Sequence, residues 1–183
     1  MSKTTTKDQC YYELKEKSTC RNKLLDFALS TRNWEKDTEK NKFSFLQVVV
    51  PRELYQDDIV LNTLYSQIKI PSAPRIFKMP ANIYYAMHVD AWRGSALNML
   101  LNDSANSTTF YHCGPFRRNQ IHIETLEYKP DTYYLLNTQI KHGVLNSMQD
   151  RYVLSLGLGT VSGNQSIEDF YNIYKNKLIE LGF

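Results

Sequence analysis

Residues 84–100, YYAMHVDAWRGSALNML, hold the first pairing of residue types in this chain that could do chemistry. His88 and Asp90 stand one residue apart in a run that otherwise reads as buried strand. Side chains at i and i+2 of a strand point to one face, so an imidazole and a carboxylate converge there. Asp is depleted in strands, and a carboxylate near a core is costly unless something pairs with it. The pair is therefore read as two metal ligands, and a third must arrive from elsewhere. Of the four histidines, His142 follows TYYLLNTQ (132–139), at the point where that strand ends. In an antiparallel barrel a late strand end can return beside an early one. Two imidazoles and one carboxylate on one side of a metal form the facial set that holds non-haem Fe(II) and leaves three positions open. His112 and His122 read as hydrogen-bonded core residues.

Arg151 opens the last strand, nine positions after His142. NSMQD (146–150) reads as a turn, which places Arg151 beside His142 across a hairpin. A guanidinium inside a barrel needs an anion, and its fork matches a carboxylate bidentately. Three further residues are candidates for contact with ligand. Arg93 lies just after the His-x-Asp, Asn98 sits mid-strand where Asn is disfavoured, and Tyr84 shares a face with His88 if the strand is regular. Arg117 and Arg118 read as ordinary surface charge in a turn.

The elements that must position these residues are mostly short strands. The expected strands are 43–50, 82–90, 95–102, 107–113, 120–128, 132–139 and 151–159, separated by turn-like NDSAN, GPFRRN, KPD and NSMQD. No helical segments alternate with them, so the fold class is mainly β with flanking helices, an antiparallel jelly roll. Residues 1–18 read as frayed or weakly helical, RNKLLDFALS (21–30) as a packed helix, 52–68 as ambiguous and partly helical, and PSAPRIFKMP (71–80) as extended or turning. A C-terminal helix at about 166–181 carries an apolar stripe of Ile167, Phe170, Tyr174, Leu178 and Leu181, with Ser166 and Asp169 as an N-cap box, and packs across the outside of a sheet. Residues 1–42 are assigned to a polar, partly helical extension and 43–183 to the β domain.

Composition narrows the partners. Residues 1–42 contain ten Lys/Arg against seven Asp/Glu, and the rest twelve of each, so the whole net charge of +3 lies at the N-terminal end. That is a solvated mixed-charge face rather than a nucleic-acid-binding tail. No stretch approaches the roughly 20 apolar residues that cross a bilayer, and MSKTTTKDQC lacks a signal-peptide apolar core. Cys10, Cys20 and Cys113 are odd in number and unpatterned in spacing. They argue against a disulfide framework and for a reducing, cytoplasmic setting.

Taken in order, His-x-Asp, a distal His some fifty residues on and an Arg nine residues later resemble the Fe(II)/2-oxoglutarate-dependent oxygenases. The flanking HVDAWRGSALNMLL and LLNTQIKHGVLN…RYVLSLGL look like short microbial and viral members near the aspartyl/asparaginyl β-hydroxylase-like group, over about residues 80–160. The resemblance implies a double-stranded β-helix of cupin-like form, Fe(II) on His88, Asp90 and His142, and 2-oxoglutarate with its distal carboxylate on Arg151. The implied reaction hydroxylates a substrate with O2 while 2-oxoglutarate is decarboxylated to succinate. It also tilts the substrate towards an amino-acid side chain in a peptide or protein. Many members carry Arg-x-Ser on the last strand, whereas this chain has Arg151-Tyr152-Val153; Ser155, two residues further along the same face, is the candidate for that serine's contact with the cosubstrate, beside Arg151 and Asn98. Some aspartyl hydroxylase relatives lack the carboxylate ligand, while Asp90 is present here. Two alternatives remain at this level: a metal-dependent cupin enzyme needing no cosubstrate, and a non-catalytic jelly-roll binding module.

Overall fold

Alternation decides the architecture. In RYVLSLGLGT (151–160) Tyr152, Leu154, Leu156 and Leu158 are buried in one apolar cluster, while Arg151, Val153 and Ser155 line a cavity on the opposite face. A period of two separates a helix-covered face from an inward face. A computed structural model describes residues 6–36, 45–70, 72–91, 93–102, 107–112, 123–146, 148–160 and 169–183. Its strands are β1 (Tyr11–Lys17), β2 (Glu35–Lys36), β3 (Leu46–Val49), β4 (Arg75–Met79), β5 (Ile83–His88), β6 (Arg93–Leu100), β7 (Ser107–His112), β8 (Ile123–Leu126), β9 (Thr132–Asn137), β10 (His142–Asn146) and β11 (Arg151–Thr160). Its α-helices are α1 (Lys7–Cys10), α2 (Arg21–Ser30), α3 (Ile59–Thr63) and α4 (Phe170–Glu180).

Every pairing among the described residues is antiparallel. A large sheet runs β1-β9-β6-β11-β4-β3-β2 and a small one β5-β10-β7-β8. From β4 onward the chain passes repeatedly between the two sheets, which is the jelly roll expected from the strand pattern and the double-stranded β-helix that the resemblance implied. Helices α2, α3 and α4 cover the outer face of the large sheet. There Leu24, Leu61 and Leu178 are fully buried against Leu97, Leu135 and Leu156. Among the described residues, no helix is long and apolar enough to cross a membrane.

Several expectations are corrected. Residues 11–17 are not frayed or helical: β1 pairs with β9 as an edge strand, with Tyr11 facing between the sheets and Leu14 buried towards the helices. Lys15, Glu16 and Lys17 at its far end are exposed, and its register slips before Lys17, which hides the alternation. The extended reading of 71–80 holds, as strand β4. The partly helical reading of 52–68 also holds, for they form a short 3-10 turn, α3 and a π turn. Asp169 is itself the N-cap of α4, its Oδ1 accepting from the Asn172 amide at 3.2 Å. Ser166, Ile167, Arg117, Arg118, Cys113 and His122 lie outside the described residues.

The expected hairpin is also corrected. HGVLN is a strand, β10, in the small sheet, and β11 lies in the large one. The connection crosses between sheets, so Arg151 pairs with Met79 of β4 and not with His142. Asn146 organises this crossing, its Nδ2 donating to the carbonyls of Pro80 (2.7 Å) and Gln149 (2.9 Å).

Candidate metal centre

The two sheets enclose a cavity of about 260 Å3, close to the lower end of the roughly 300–1,000 Å3 usual for small-molecule sites. His88 ends β5 and His142 begins β10, and the two are direct cross-strand partners with ring centroids 4.4 Å apart. Next to them Gly143 admits close approach of the strands: a Cβ there would meet the Tyr85 carbonyl oxygen at 2.8 Å. Asp90 lies two residues beyond β5, its amide donating to the Thr138 carbonyl at 3.1 Å. Its Oδ1 is 3.2 Å from His88 Nε2 and 3.8 Å from His142 Nε2. One donor atom from each of the three lies within 4.8 Å of the others.

Each imidazole has its other nitrogen against a backbone carbonyl, that of Ala86 for His88 and Ile140 for His142, both at 2.9 Å. A carbonyl only accepts, so Nδ1 carries the proton and, in the neutral ring, Nε2 presents a lone pair. Two imidazole Nε2 atoms and a carboxylate oxygen then converge on one point, an arrangement that suits a cation between them. A backbone acceptor behind each ligating His is the usual means of fixing its tautomer and orientation. Burial lowers His142 to about 4, opposed by Asp90. Burial also drives Asp90 upward, but Arg93, His88 and His142 together hold its carboxyl well below the usual carboxylate range. These are the protonation states that metal ligation requires.

Arg151 lies across the same cavity, 5% exposed. Its Nη2 donates to Thr109 Oγ1 at 3.3 Å, its guanidinium sits over the Tyr128 ring at 5.3 Å, and its Nε meets no acceptor. Burial lowers its pKa from the ordinary value, although an arginine stays charged. Asp150 and Asp131 do not neutralise it, for Asp150 pairs with Lys78 and Asp131 with Arg21. Among the described residues Arg151 has no ion pair, so a buried cation is left for an anion to meet.

The other candidates divide. Asn98 and Ser155 are cross-strand neighbours facing the cavity, and Asn98 Oδ1 is buried with no donor. Arg93 also lines the cavity, but its guanidinium is engaged by Asp90 Oδ2 (2.5 Å) and Ser155 Oγ (3.0 Å). Tyr84 does not share the face of His88: it stands half exposed, stacked on Phe110 outside the small sheet. An extra residue in β5 between its pairings to His142 and Val144 reverses the alternation, so Tyr85 packs on His88 at 4.1 Å instead. Sequence reasoning missed Thr109, Tyr128 and Gln139. An inward Thr on a strand carries no signal of its own, and Tyr128 is one of thirteen tyrosines.

No protein-family model matches this sequence, and no curated protein is similar to it in sequence. Solved structures do share its fold. A prolyl hydroxylase from Trichoplax adhaerens, in complex with a hypoxia inducible factor oxygen degradation domain peptide fragment, superposes with a TM-score of 0.59 at 14% identity, spanning 80% of each chain. A Pseudomonas putida prolyl-4-hydroxylase gives 0.56 at 10% identity over 79% of this chain and 89% of its own. HygX from Streptomyces hygroscopicus, with nickel, 2-oxoglutarate and hygromycin B bound, gives 0.53 at 10% identity over 81% and 82%. At these identities the likeness is one of fold.

Proposed function

We propose that this chain is an Fe(II)- and 2-oxoglutarate-dependent oxygenase that hydroxylates a C–H bond of its substrate. One observation carries the reading: a His-Asp-His donor set and a buried guanidinium with no ion pair among the described residues face the same cavity. The residues fit the group. Two imidazoles and one carboxylate suit iron and leave positions for other ligands. When bound, iron with 2-oxoglutarate supplies the chemistry: O2 places one oxygen atom in the hydroxylated product and one in succinate, and CO2 leaves.

The chain's own residues position and protect. His88, Asp90 and His142 hold the ion, with Ala86 and Ile140 fixing the two rings through their carbonyls. Arg151, backed by Thr109, binds the distal carboxylate of the cosubstrate and fixes its depth in the cavity. Asn98 offers that ligand an amide. On the β3–β4 side Phe45, Phe77 and Tyr85 form a connected aromatic wall, with centroid distances of 4.5 and 6.5 Å, that excludes water from the reacting end. The resemblance to aspartyl/asparaginyl hydroxylases favours an amino-acid side chain as acceptor. Peptide and small-molecule ligands both occur in neighbouring structures, so the screen should include both.

Arg151 weighs against a cosubstrate-free cupin enzyme, which has no use for an inward cation across from its metal. Anaerobic titration with Fe(II) and then 2-oxoglutarate tests the reading. A weak visible charge-transfer band is expected, lost in His142→Ala and weakened in Arg151→Ala. Metal binding without the band would favour the cosubstrate-free enzyme, and no metal binding a non-catalytic module.

A further inference from the structure

The two oxygens of Asp90 have different surroundings. Oδ1 faces both imidazoles, whereas Oδ2 accepts from Arg93 Nε. The same guanidinium donates through Nη1 to Ser155 Oγ, so it is held at a fixed angle between the loop after β5 and strand β11. Its backbone is held as well. The Arg93 carbonyl accepts from Thr138 Oγ1 (2.7 Å) and Gln139 Nε2 (2.9 Å), and Gln139 Nε2 also reaches the Asp90 carbonyl at 3.2 Å. The turn at 138–139 therefore grips both Asp90 and Arg93, just ahead of His142 in sequence.

A carboxylate with both oxygens available can bind a cation through one or both. Chelation by Asp90 would occupy one of the coordination positions that the facial set leaves open. We propose that Arg93 is a positioning residue that restricts Asp90 to ligation through Oδ1, keeping the remaining positions for cosubstrate and O2, with Ser155 setting the angle of the guanidinium. The inference rests on the metal-centre reading above. It assigns Ser155 to Arg93 rather than to the cosubstrate. Two effects of opposite sign follow. Arg93 places a positive charge beside the ion and withholds one donor oxygen, so removing it favours the metal and disfavours the cosubstrate. Simple loss of local order would weaken both.

The test uses the full chain stripped of metal, with Co(II) as probe because its d–d absorption reports coordination number without turnover. Wild type, Arg93→Gln, Arg93→Lys, Ser155→Ala and Asp90→Ala are titrated with Co(II), and the Co(II) forms are then titrated with 2-oxoglutarate. Thermal melts accompany each. For Arg93→Gln, Co(II) is expected to bind at least as tightly as to wild type, with an altered d–d spectrum, while 2-oxoglutarate affinity falls by about tenfold or more. Arg93→Lys keeps the charge but not the planar fork and should fall between. Ser155→Ala should move the same way by less. If Arg93→Gln fails to fold, the Lys and Ser155 variants carry the test. An unchanged spectrum and cosubstrate affinity, or metal and cosubstrate weakened together, would overturn the assignment to Arg93 and leave the metal centre standing. Failure of wild type to bind Co(II) any better than Asp90→Ala would overturn the metal centre, and this inference with it.

Discussion

Two buried carboxylates, Asp58 and Asp90, are solved in opposite ways. Asp58 is 1% exposed and accepts from Ser18 Oγ (2.9 Å), Thr19 N (3.0 Å), Leu61 N (3.1 Å) and Cys20 Sγ (3.4 Å). It caps α3 and ties that helix to the segment between β1 and α2, with Tyr133 Oη donating to Ser18 from β9. Donors and acceptors match, so the network is complete within the chain. At Asp90, across the large sheet, the Nε2 atoms of two imidazoles are turned towards a carboxylate oxygen, and among the described residues a buried cation nearby has no ion pair. Complete networks hold folds together. Converging lone pairs on one side of a cavity and an unneutralised guanidinium on the other are complementary to a cation and an anion from outside the chain.

The largest expected contrast separates the two carboxylates outright. Asp90→Ala or His142→Ala should abolish tight binding of Fe(II) or Co(II), read by calorimetry, with little loss of stability in urea. Asp58→Ala should leave metal binding intact and cost about 2–4 kcal/mol of stability, the loss of a cap plus several buried donors left unpaired. If Asp58→Ala also lost the metal, the two regions would not be independent.

Next in size is Arg151. Arg151→Met replaces an unneutralised buried cation by an apolar chain of similar length, so the urea midpoint should hold or rise while 2-oxoglutarate binding disappears. A large loss of stability would mean the guanidinium is structural. Thr109→Val should have a smaller effect, lowering cosubstrate affinity by about fivefold, the worth of roughly one hydrogen bond. Smallest at neutral pH is Cys20. Burial pushes its thiol up to about 11, with Asp58 adding to the rise. A thiol raised above its unfolded value contributes stability that is fully present below about pH 9 and lost as pH rises through 11. Cys20→Ala should therefore flatten the alkaline fall in melting temperature without changing the site.

Legibility in the sequence tracked how local each signal is. β11 was readable because one face is Leu at every second position and the other carries Arg151 and Ser155. α2 was readable from its apolar spacing. β1 was not, since an edge strand needs only a few buried residues and its outer half is charged. β10 was not, because HGVLN is short and flanked by turn-like residues. The His88–Asp90 pair was visible from its own spacing, and the placing of His142 beside it followed from barrel topology. Tyr84 illustrates the limit: one additional residue in β5 turns every later side chain to the other face, and it shows only in the pairing of β5 with a distant strand.

What the sequence by itself determined is the alternation of β11 and β6, the apolar faces that bring helices onto one side of the large sheet, and the residue types able to hold a metal. These follow from periodicity and side-chain chemistry, which neighbours along the chain suffice to specify. Tertiary structure alone decided that Arg151 faces His88, Asp90 and His142 from the opposite sheet, that Thr109 and not a residue on its own strand backs it, and that Arg93 turns to Asp90. Each of these depends on which strands meet and in what register. That is settled by the packing of the two sheets as a whole, at sequence separations where no local pattern carries information.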